Sequence, residues 1–468
     1  MEKNTKIGVL GAGIEGLEMV RYLAAHAFGD VTLYDQNSAV DVELPTGVKT
    51  VYGPDYLTRA EACEVVFRSP GIDLKKLGEL RSKGVQLTSA TRYFLEHAPC
   101  KTIGVTGTKG KGTTSTLIYL MLKEAGKDAY IGGNIGESPL TFLDKLTAES
   151  VVVLELSSFQ LQDADRSPNV AVLLGVTSDH LDYHHDQDEY WDAKSAIVKF
   201  QKSEDLAVMN VDYESTAYYE KFARGQKIFV STMKAEGDGV HLSGPMIVNC
   251  TPPKEGQTGG TCEMICNSSK VALIGKHHLE NVLPAVAVAR HFGVAIPQIQ
   301  KVLTTFKGLP HRLEEVATVN DVKYYDDSIS TTPETSIAAV HAFAQPVILI
   351  AGGSDKGADY TDWGLALQQA QNLKCVILIG MMADKMEHAL TSAQTTLTGR
   401  GMGRHYPLEI VRCKTFEDAM QSAYHKAVPG DVVVLSPAAA SFDMFKNYKD
   451  RGDQFKALAN AMGGHGQS

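Results

Sequence analysis

Thr102–Thr116, TIGVTGTKGKGTTST, passes from a β-branched run through glycines and lysines into a run of hydroxyls. Ile103, Val105 and Thr106 read as a buried strand, and Thr113–Thr116 with Leu117, Ile118, Leu120 and Met121 open a helix. Unpaired backbone N–H groups and the helix dipole favour an anion at such an entrance. Gly107, Gly110 and Gly112 let the backbone approach phosphate oxygens, Lys111 can reach the terminal phosphates, and a threonine hydroxyl can meet Mg²⁺. The usual eight-residue phosphate-loop spacing is not kept, because Val105 stands where its first glycine belongs. A flexible Gly/Lys turn would not need a strand before it and a helix after it. The stretch reads as a nucleoside-triphosphate site.

Around it, 468 residues allow about three domains. A hydrophobic content of 44% with 21% charged residues is that of an ordinary globular chain. The net charge of −10, without a long basic run, argues against nucleic acid as a partner. No apolar stretch reaches bilayer length and the first residues lack a signal-peptide core, so no membrane role is expected. Cys250, Cys262 and Cys266 are the nearest approach to a cluster among seven cysteines. A zinc site would need a fourth ligand such as His241, so reduced thiols in a reducing, cytoplasmic compartment are expected.

Upstream, Lys6–Leu10 reads as a strand, followed by Gly11-Ala-Gly13-Ile-Glu-Gly16, a helix, a strand Val31–Tyr34 and Asp35. This is G-x-G-x-x-G with an acid 19 positions after the last glycine, a shape that suits any nucleotide diphosphate. NAD is one candidate; a UDP-sugar is favoured, because only about sixty residues intervene before the phosphate-loop strand and no redox domain follows. Ser69-Pro70-Gly71-Ile72, after a strand Val65–Phe67, can reach the same cleft, and Ala98-Pro99-Cys100 reads as a linker.

Downstream, strands alternate with helices, the pattern of a parallel sheet covered by helices. Val151–Leu154 delivers Glu155, and Val170–Val176 delivers Thr177, Ser178, Asp179, His180 and Asp182. Ligands sit at strand C-termini in such sheets, so Glu155 and His180 should converge near the phosphates and suit a divalent ion. The helix Asp186–Phe200 has an apolar stripe of Tyr190, Ala193, Ile197 and Val198, and Lys194 lies on it. A lysine on a buried face must be paired, chemically altered or snorkelling. Residues 235–270 read as a hairpin-bearing insertion, and a helix running to His291 follows. The third segment repeats the α/β pattern, with strands Val316–Val319, Val322–Tyr325, Val347–Ile350, 375–379, 409–412 and 431–435.

GTKGKGTT (107–114), GGNIG (132–136), ELSSFQL (155–161), TSDHLD (177–182), GKHHLEN (275–281), PHRLE (310–314), DDSIS (326–330), GGSDKGADY (352–360) and SPAAASFDMFKNYKDRG (436–452) occur in this order. Together they resemble the Mur ligase family over nearly the whole chain. The resemblance implies an α/β chain of three domains: a Rossmann-like UDP-binding domain (1–98), a central P-loop ATPase-like domain (99–308) and a C-terminal Rossmann-like domain (309–468). It implies a cytoplasmic, monomeric, ATP-dependent ligase that adds D-glutamate to UDP-N-acetylmuramoyl-L-alanine through an acyl phosphate, in peptidoglycan precursor synthesis. L-glutamate as acceptor is the first alternative. A folylpolyglutamate-type ligase, which shares the central domain but should lack the N-terminal UDP-type domain, and a non-enzymatic nucleotide sensor are the others.

By the same resemblance, ATP meets Gly107, Thr108, Lys109, Gly110, Lys111, Gly112, Thr113, Thr114, Asn281, Arg312 and Asp327. The UDP-substrate meets Gly13, Asp35, Gln36, Ser69, Asn134, Ser157, Ser158 and Gln160, and glutamate meets Lys356, Ser441 and Tyr448. Two Mg²⁺ ions are implied on Thr113, Glu155, His180 and Lys194, the lysine as a carbamate; Lys111, Glu155, His180 and Lys194 carry catalysis. Ile329, His278, Tyr448 and Gly112 depart from the family pattern, where lysine, asparagine, phenylalanine and Ser or Thr are familiar.

Overall fold

Runs such as Val151–Leu154 and Val347–Ala351 are apolar at every position, which suits strands covered on both faces. In the computed structural model they lie in three sheets; the structure describes residues 1–177, 186–234, 238–252, 260–273, 278–355, 357–399, 401, 404 and 407–464.

The first sheet has five parallel strands, β1 (Lys6–Leu10), β2 (Asp30–Asp35), β3 (Lys49–Tyr52), β4 (Val65–Arg68) and β5 (Gln86–Ser89), in the order β3-β2-β1-β4-β5. The second comprises β6 (Lys101–Thr106), β7 (Ala129–Gly133), β8 (Val151–Glu155), β9 (Val170–Leu173), β10 (Leu206–Asn210), β11 (Gln226–Ser231), β12 (Gly239–Ser243), β13 (Met246–Thr251) and β14 (Thr261–Asn267). Its order is β14-β13-β12-β11-β10-β9-β6-β8-β7, parallel from β7 to β12 and antiparallel through β13 and β14. The third comprises β15 (Glu314–Val319), β16 (Val322–Asp326), β17 (Val347–Gly352), β18 (Leu373–Ile379), β19 (Glu409–Arg412) and β20 (Val432–Leu435), in the order β15-β16-β20-β17-β18-β19. Only β15 runs antiparallel there.

Met1–Ala272, continuing to Phe306, is one compact unit that holds the first two sheets; a second unit begins at Lys307 and holds the third. Within the first unit one apolar core takes in Ile7, Val9 and Leu33 from the first sheet and Leu154 and Leu173 from the second. In each sheet the strand order reverses at an inner strand, β1, β6 and β20. Crevices therefore open at the strand C-termini there, where this class of sheet binds ligands.

Three expectations are corrected. The helix after β6 begins at Lys111, not Thr113, because the lysine and Gly112 already form its first turn. The strand expected over Val170–Val176 ends at Leu173. Beyond it, Thr108 N–H donates to Gly175 O, so the chain is drawn onto the phosphate loop. Cys250 and Cys262 are not reduced thiols: antiparallel register sets them opposite each other on β13 and β14, and they form a disulfide. Residues 12 apart in sequence become cross-strand partners only once the hairpin closes. That pairing leaves no thiolate pair for zinc beside His241, whose Nε2 lies 3.8 Å from Cys250 Sγ.

Candidate active site

At the end of β6 the chain enters the loop 107–110, and Gly110 caps the helix Lys111–Glu124 with φ 86°. A side chain there would be strained, and its Cβ would sit 1.9 Å from Asn281 Oδ1. Glycine is thus required where the loop passes under Asn281, and Thr114 Oγ1 ties the same residue by donating to Asn281 O at 3.2 Å. Lys111 Nζ donates to Gly107 O at 3.1 Å and Thr108 O at 3.0 Å. A cation and a helix N-terminus therefore meet in one loop, the electrostatic requirement for a polyphosphate. Thr113 is buried in the first turn of the same helix, and Lys109 lies on the exposed side of the loop.

Glu155 is the last residue of β8, level with Val105 of β6, and is buried. Its carboxylate accepts from Asn134 Nδ2 at 3.3 Å, and its carbonyl accepts from Asn134 N–H at 2.9 Å. The helix Gln187–Lys199 brings in Lys194, 1% exposed. Its Nζ donates to Gly107 O at 3.2 Å and Thr106 Oγ1 at 3.3 Å, and lies 4.7 Å from the centre of the Tyr190 ring. Tyr190 in turn pairs its hydroxyl with Thr108 Oγ1 at 3.2 Å. Lys111 and Lys194 thus share the carbonyl of Gly107 as an acceptor, two residues beyond Val105, the register partner of Glu155. His180 lies outside the described residues.

The second cluster of expected residues lies at the C-terminal edge of the first sheet. Gly13 caps the helix Ile14–Ala25, and a Cβ on Gly16 would lie 1.9 Å from Gly11 O, so the turn closes only on glycine. Asp35 accepts from Ala12 N–H at 2.7 Å and Asn37 N–H at 2.8 Å, which binds β2 to that turn; Gln36 is exposed beside it. Ser69 Oγ donates to Gly11 O at 3.4 Å. Ser157 and Gln160 form a capping box on the short helix Ser158–Leu161, with Ser158 buried inside it. Gln160 Nε2 also donates to Glu15 Oε1 at 2.6 Å, joining this short helix to the first turn of the helix Ile14–Ala25. Burial pushes the Glu15 carboxyl up, with Gln160 and Arg68 pulling it back.

In the second unit, Asp327 follows β16 and is 2% exposed; Ser436 Oγ donates to it at 2.7 Å and Leu313 N–H at 3.2 Å. Burial raises its carboxyl to about 6, against the pull of Ser330, Ser436 and Arg312. Arg312 is exposed, Ser441 is buried after β20, and Tyr448 opens the helix Tyr448–Gly464. Ile329 is half-buried, its N–H on His311 O at 3.2 Å. Arg451, fully buried, bonds to Ser328 and to the carbonyls of Gly352, Ala439 and Ala440, and so ties together the loops after β16, β17 and β20. Burial lowers its guanidinium to about 10. His311, Glu314 and Asp326 gather as a metal site would, but Lys456 Nζ lies 2.7 Å from Glu314, so a cation already faces that group. Lys356 lies outside the described residues.

Residues 105–289 match the family described as Mur ligase middle domain, and residues 311–439 the Mur ligase, glutamate ligase domain. The chain is 38% identical to the UDP-N-acetylmuramoylalanine--D-glutamate ligase of Acetivibrio thermocellus, over 98% of this chain and 97% of that one. This chain belongs to the Mur ligase family. The protein of the same name from Ruminiclostridium cellulolyticum is 37% identical over the same shares of both chains. Among solved structures, MurF from Acinetobacter baumannii aligns with TM-score 0.58 at 17% identity, covering 97% of this chain and 90% of that one. MurF from Thermotoga maritima, in complex with ADP, aligns with TM-score 0.56 at 17% identity over 99% and 96%. At that identity the likeness is one of fold, and the Mur ligase fold is the α/β architecture described above.

Several residues that tie these loops together within each unit carry little signal in the sequence. In the sequence Tyr190 is only part of an apolar stripe, although its hydroxyl reaches Thr108. Arg68 ends an otherwise apolar strand, VVFR, and that arginine was the one available signal. Arg451 sits among surface-like charges in KNYKDRGDQ and carried no signal of burial at all.

Proposed function

We propose that this Mur ligase joins D-glutamate to UDP-N-acetylmuramoyl-L-alanine with ATP, in the cytoplasm, as a step of peptidoglycan precursor synthesis. The observation that carries the reading is the convergence of Lys111, Lys194 and buried Glu155 at the ends of β6 and β8. Its support from relatives is their printed name and their full-length match. The first sheet, with its closed glycine turn, favours this reading over a folylpolyglutamate-type ligase, which lacks a UDP-type domain.

In the proposed reaction a substrate carboxylate oxygen attacks the γ-phosphorus of ATP and ADP leaves. The glutamate amine then attacks the acyl carbon and phosphate leaves, with loss of the amine proton. Phosphoryl transfer asks little covalent chemistry of a protein; it needs alignment and charge neutralisation. The glycine loop and Lys111 hold the β- and γ-phosphates, and Asn281 fixes the loop from above. The donor set fits a hard divalent cation: a buried carboxylate (Glu155) and a buried hydroxyl (Thr113) flank the phosphate loop. Glu155 and Thr113 would hold Mg²⁺, with His180 and a carbamylated Lys194 completing two sites. When bound, Mg²⁺ supplies charge neutralisation on the phosphate oxygens. Gly13, Asp35, Gln36 and Ser69 are assigned to the uridine-diphosphate end, Asn134 and the Ser157–Gln160 turn to the muramoyl peptide path. Arg312 and Asp327 are assigned to ATP, and Lys356, Ser441 and Tyr448 to glutamate. The chain is taken as a monomer with domains 1–98, 99–308 and 309–468.

The test is ATP hydrolysis with each substrate omitted in turn. Phosphate release that requires both UDP-N-acetylmuramoyl-L-alanine and glutamate supports the reading. Release that persists without the UDP-substrate, or that needs a folate instead, refutes it.

A further inference from the structure

Arg68 closes β4 and is 2% exposed, yet it is the hub of a polar knot between the first two sheets. Its Nε donates to Asp163 Oδ2 at 2.8 Å. One terminal nitrogen, Nη1, donates to Pro70 O at 2.9 Å and Ile72 O at 3.0 Å; the other, Nη2, donates to Phe159 O at 2.7 Å. The fork therefore grips the loop 69–72 with one arm and the 159–163 segment with the other. Loop 69–72 abuts the glycine turn, through Ser69 Oγ on Gly11 O. The 159–163 segment follows Glu155 directly through the Ser157–Gln160 capping box, and Gln160 returns to Glu15 beside Gly16. A planar, always-charged guanidinium is the side chain that can satisfy a carboxylate and carbonyls on two sides at once.

We propose that Arg68 is a positioning residue for the UDP-linked substrate: it sets the register between the nucleotide-diphosphate loop and the Glu155–Asp163 segment, so that a substrate held at one end presents its carboxylate at the other. This rests on the function proposed above. The substrate must span both loops, and ATP only one. Loosening the knot therefore acts selectively on the UDP-substrate, through both its binding and the alignment of its carboxylate with the phosphate.

The experiment compares wild type, Arg68→Lys, Asp163→Asn and the double variant, each checked for melting temperature. Arg68→Lys keeps the charge and loses the fork; Asp163→Asn keeps the shape and loses the counter-charge. For Arg68→Lys, the KM for UDP-N-acetylmuramoyl-L-alanine should rise about tenfold or more with kcat lowered, since small misplacements of a reacting group are costly. The KM values for ATP and glutamate should stay within about twofold. Asp163→Asn should shift the same parameter in the same direction, and the double variant should fall short of the product of the singles, as residues in one network do. Equal rises in the ATP and UDP-substrate KM, following the loss of melting temperature, would make Arg68 a plain structural staple and overturn the proposal. So would an unchanged UDP-substrate KM in either single variant. If Arg68→Lys does not fold, Asp163→Asn decides by the same criteria. A wild type without UDP-substrate-dependent turnover overturns the proposed function and this inference together, whereas an active wild type with indifferent variants overturns this inference alone.

Discussion

The Lys194 ammonium lies 3.2 Å from the Gly107 carbonyl, and Lys111 donates to the same oxygen at 3.1 Å. Two lysines thus meet on one carbonyl, at a loop shaped for phosphate and beside buried Glu155. A carbamate on Lys194 would reverse one of these signs and supply hard oxygen donors. Lys194→Ala and Lys194→Gln should each lose about a hundredfold or more in kcat while the melting temperature holds. Wild-type turnover should fall when dissolved CO₂ is stripped from the buffer and recover with bicarbonate. Full activity in CO₂-free buffer, with an unmodified mass at Lys194, would leave the lysine as a loop anchor only.

Gly110→Ala tests the closeness of the loop to Asn281. The positive φ alone costs about 1–3 kcal/mol for a residue with a side chain. Because the added Cβ would meet Asn281 Oδ1, the loop must also move. ATP affinity, measured by calorimetry, should drop much further than stability does. An alanine variant that binds ATP as the wild type does would show that the loop rearranges on binding.

Asp327 makes a pH-dependent contribution to stability. Its carboxyl is raised from 3.8 to about 6 in the folded chain. Between those values the folded state holds the proton and the unfolded state does not. The contribution is therefore full below about pH 4 and is lost as pH rises through about 6, a change of about 3 kcal/mol. Asp327→Asn should remove that slope: relative to wild type it gains apparent stability at pH 8 compared with pH 4.5 in urea unfolding. Parallel pH profiles for the two proteins would contradict the assignment. Turnover should fall in the same variant if Asp327 faces ATP, which separates its catalytic role from its stability cost.

Acceptor choice follows from paired polar groups. In the proposed function Ser441 brings a hydroxyl and Lys356 a cation to the amino acid, so a dicarboxylic one is expected to react in preference to L-alanine or meso-diaminopimelate. Discrimination of about 10⁴ is within reach when the wrong ligand leaves buried groups unpaired. Rates with D-glutamate, L-glutamate, L-alanine and meso-diaminopimelate should place D-glutamate first. Turnover with L-glutamate alone would reassign the acceptor while leaving the ligase chemistry in place.

Much of the site could be read without coordinates because it is local in sequence. A strand, a glycine turn and a helix must follow one another within fifteen residues to cradle phosphate, so Thr102–Thr116 was legible as a unit. Glu155 was legible for a related reason: a parallel strand ends where ligands bind, and an apolar run ending in an acid marks that end. Lys194 was visible as a violation of its own helix's apolar stripe, and it is buried as that violation implied.

What tertiary structure alone decided is long-range pairing. Arg68 and Asp163 lie 95 residues apart, Ser328 and Arg451 123 apart, and no local pattern names the partner that a buried charge will find. The Cys250–Cys262 bond likewise depends on hairpin register, which a glycine-rich loop does not reveal. Sequence by itself determined the chemistry each loop carries and its order along the chain. Only the folded sheets determined which loops meet, because strand order and register, set by non-local packing, choose the partners of every buried charge.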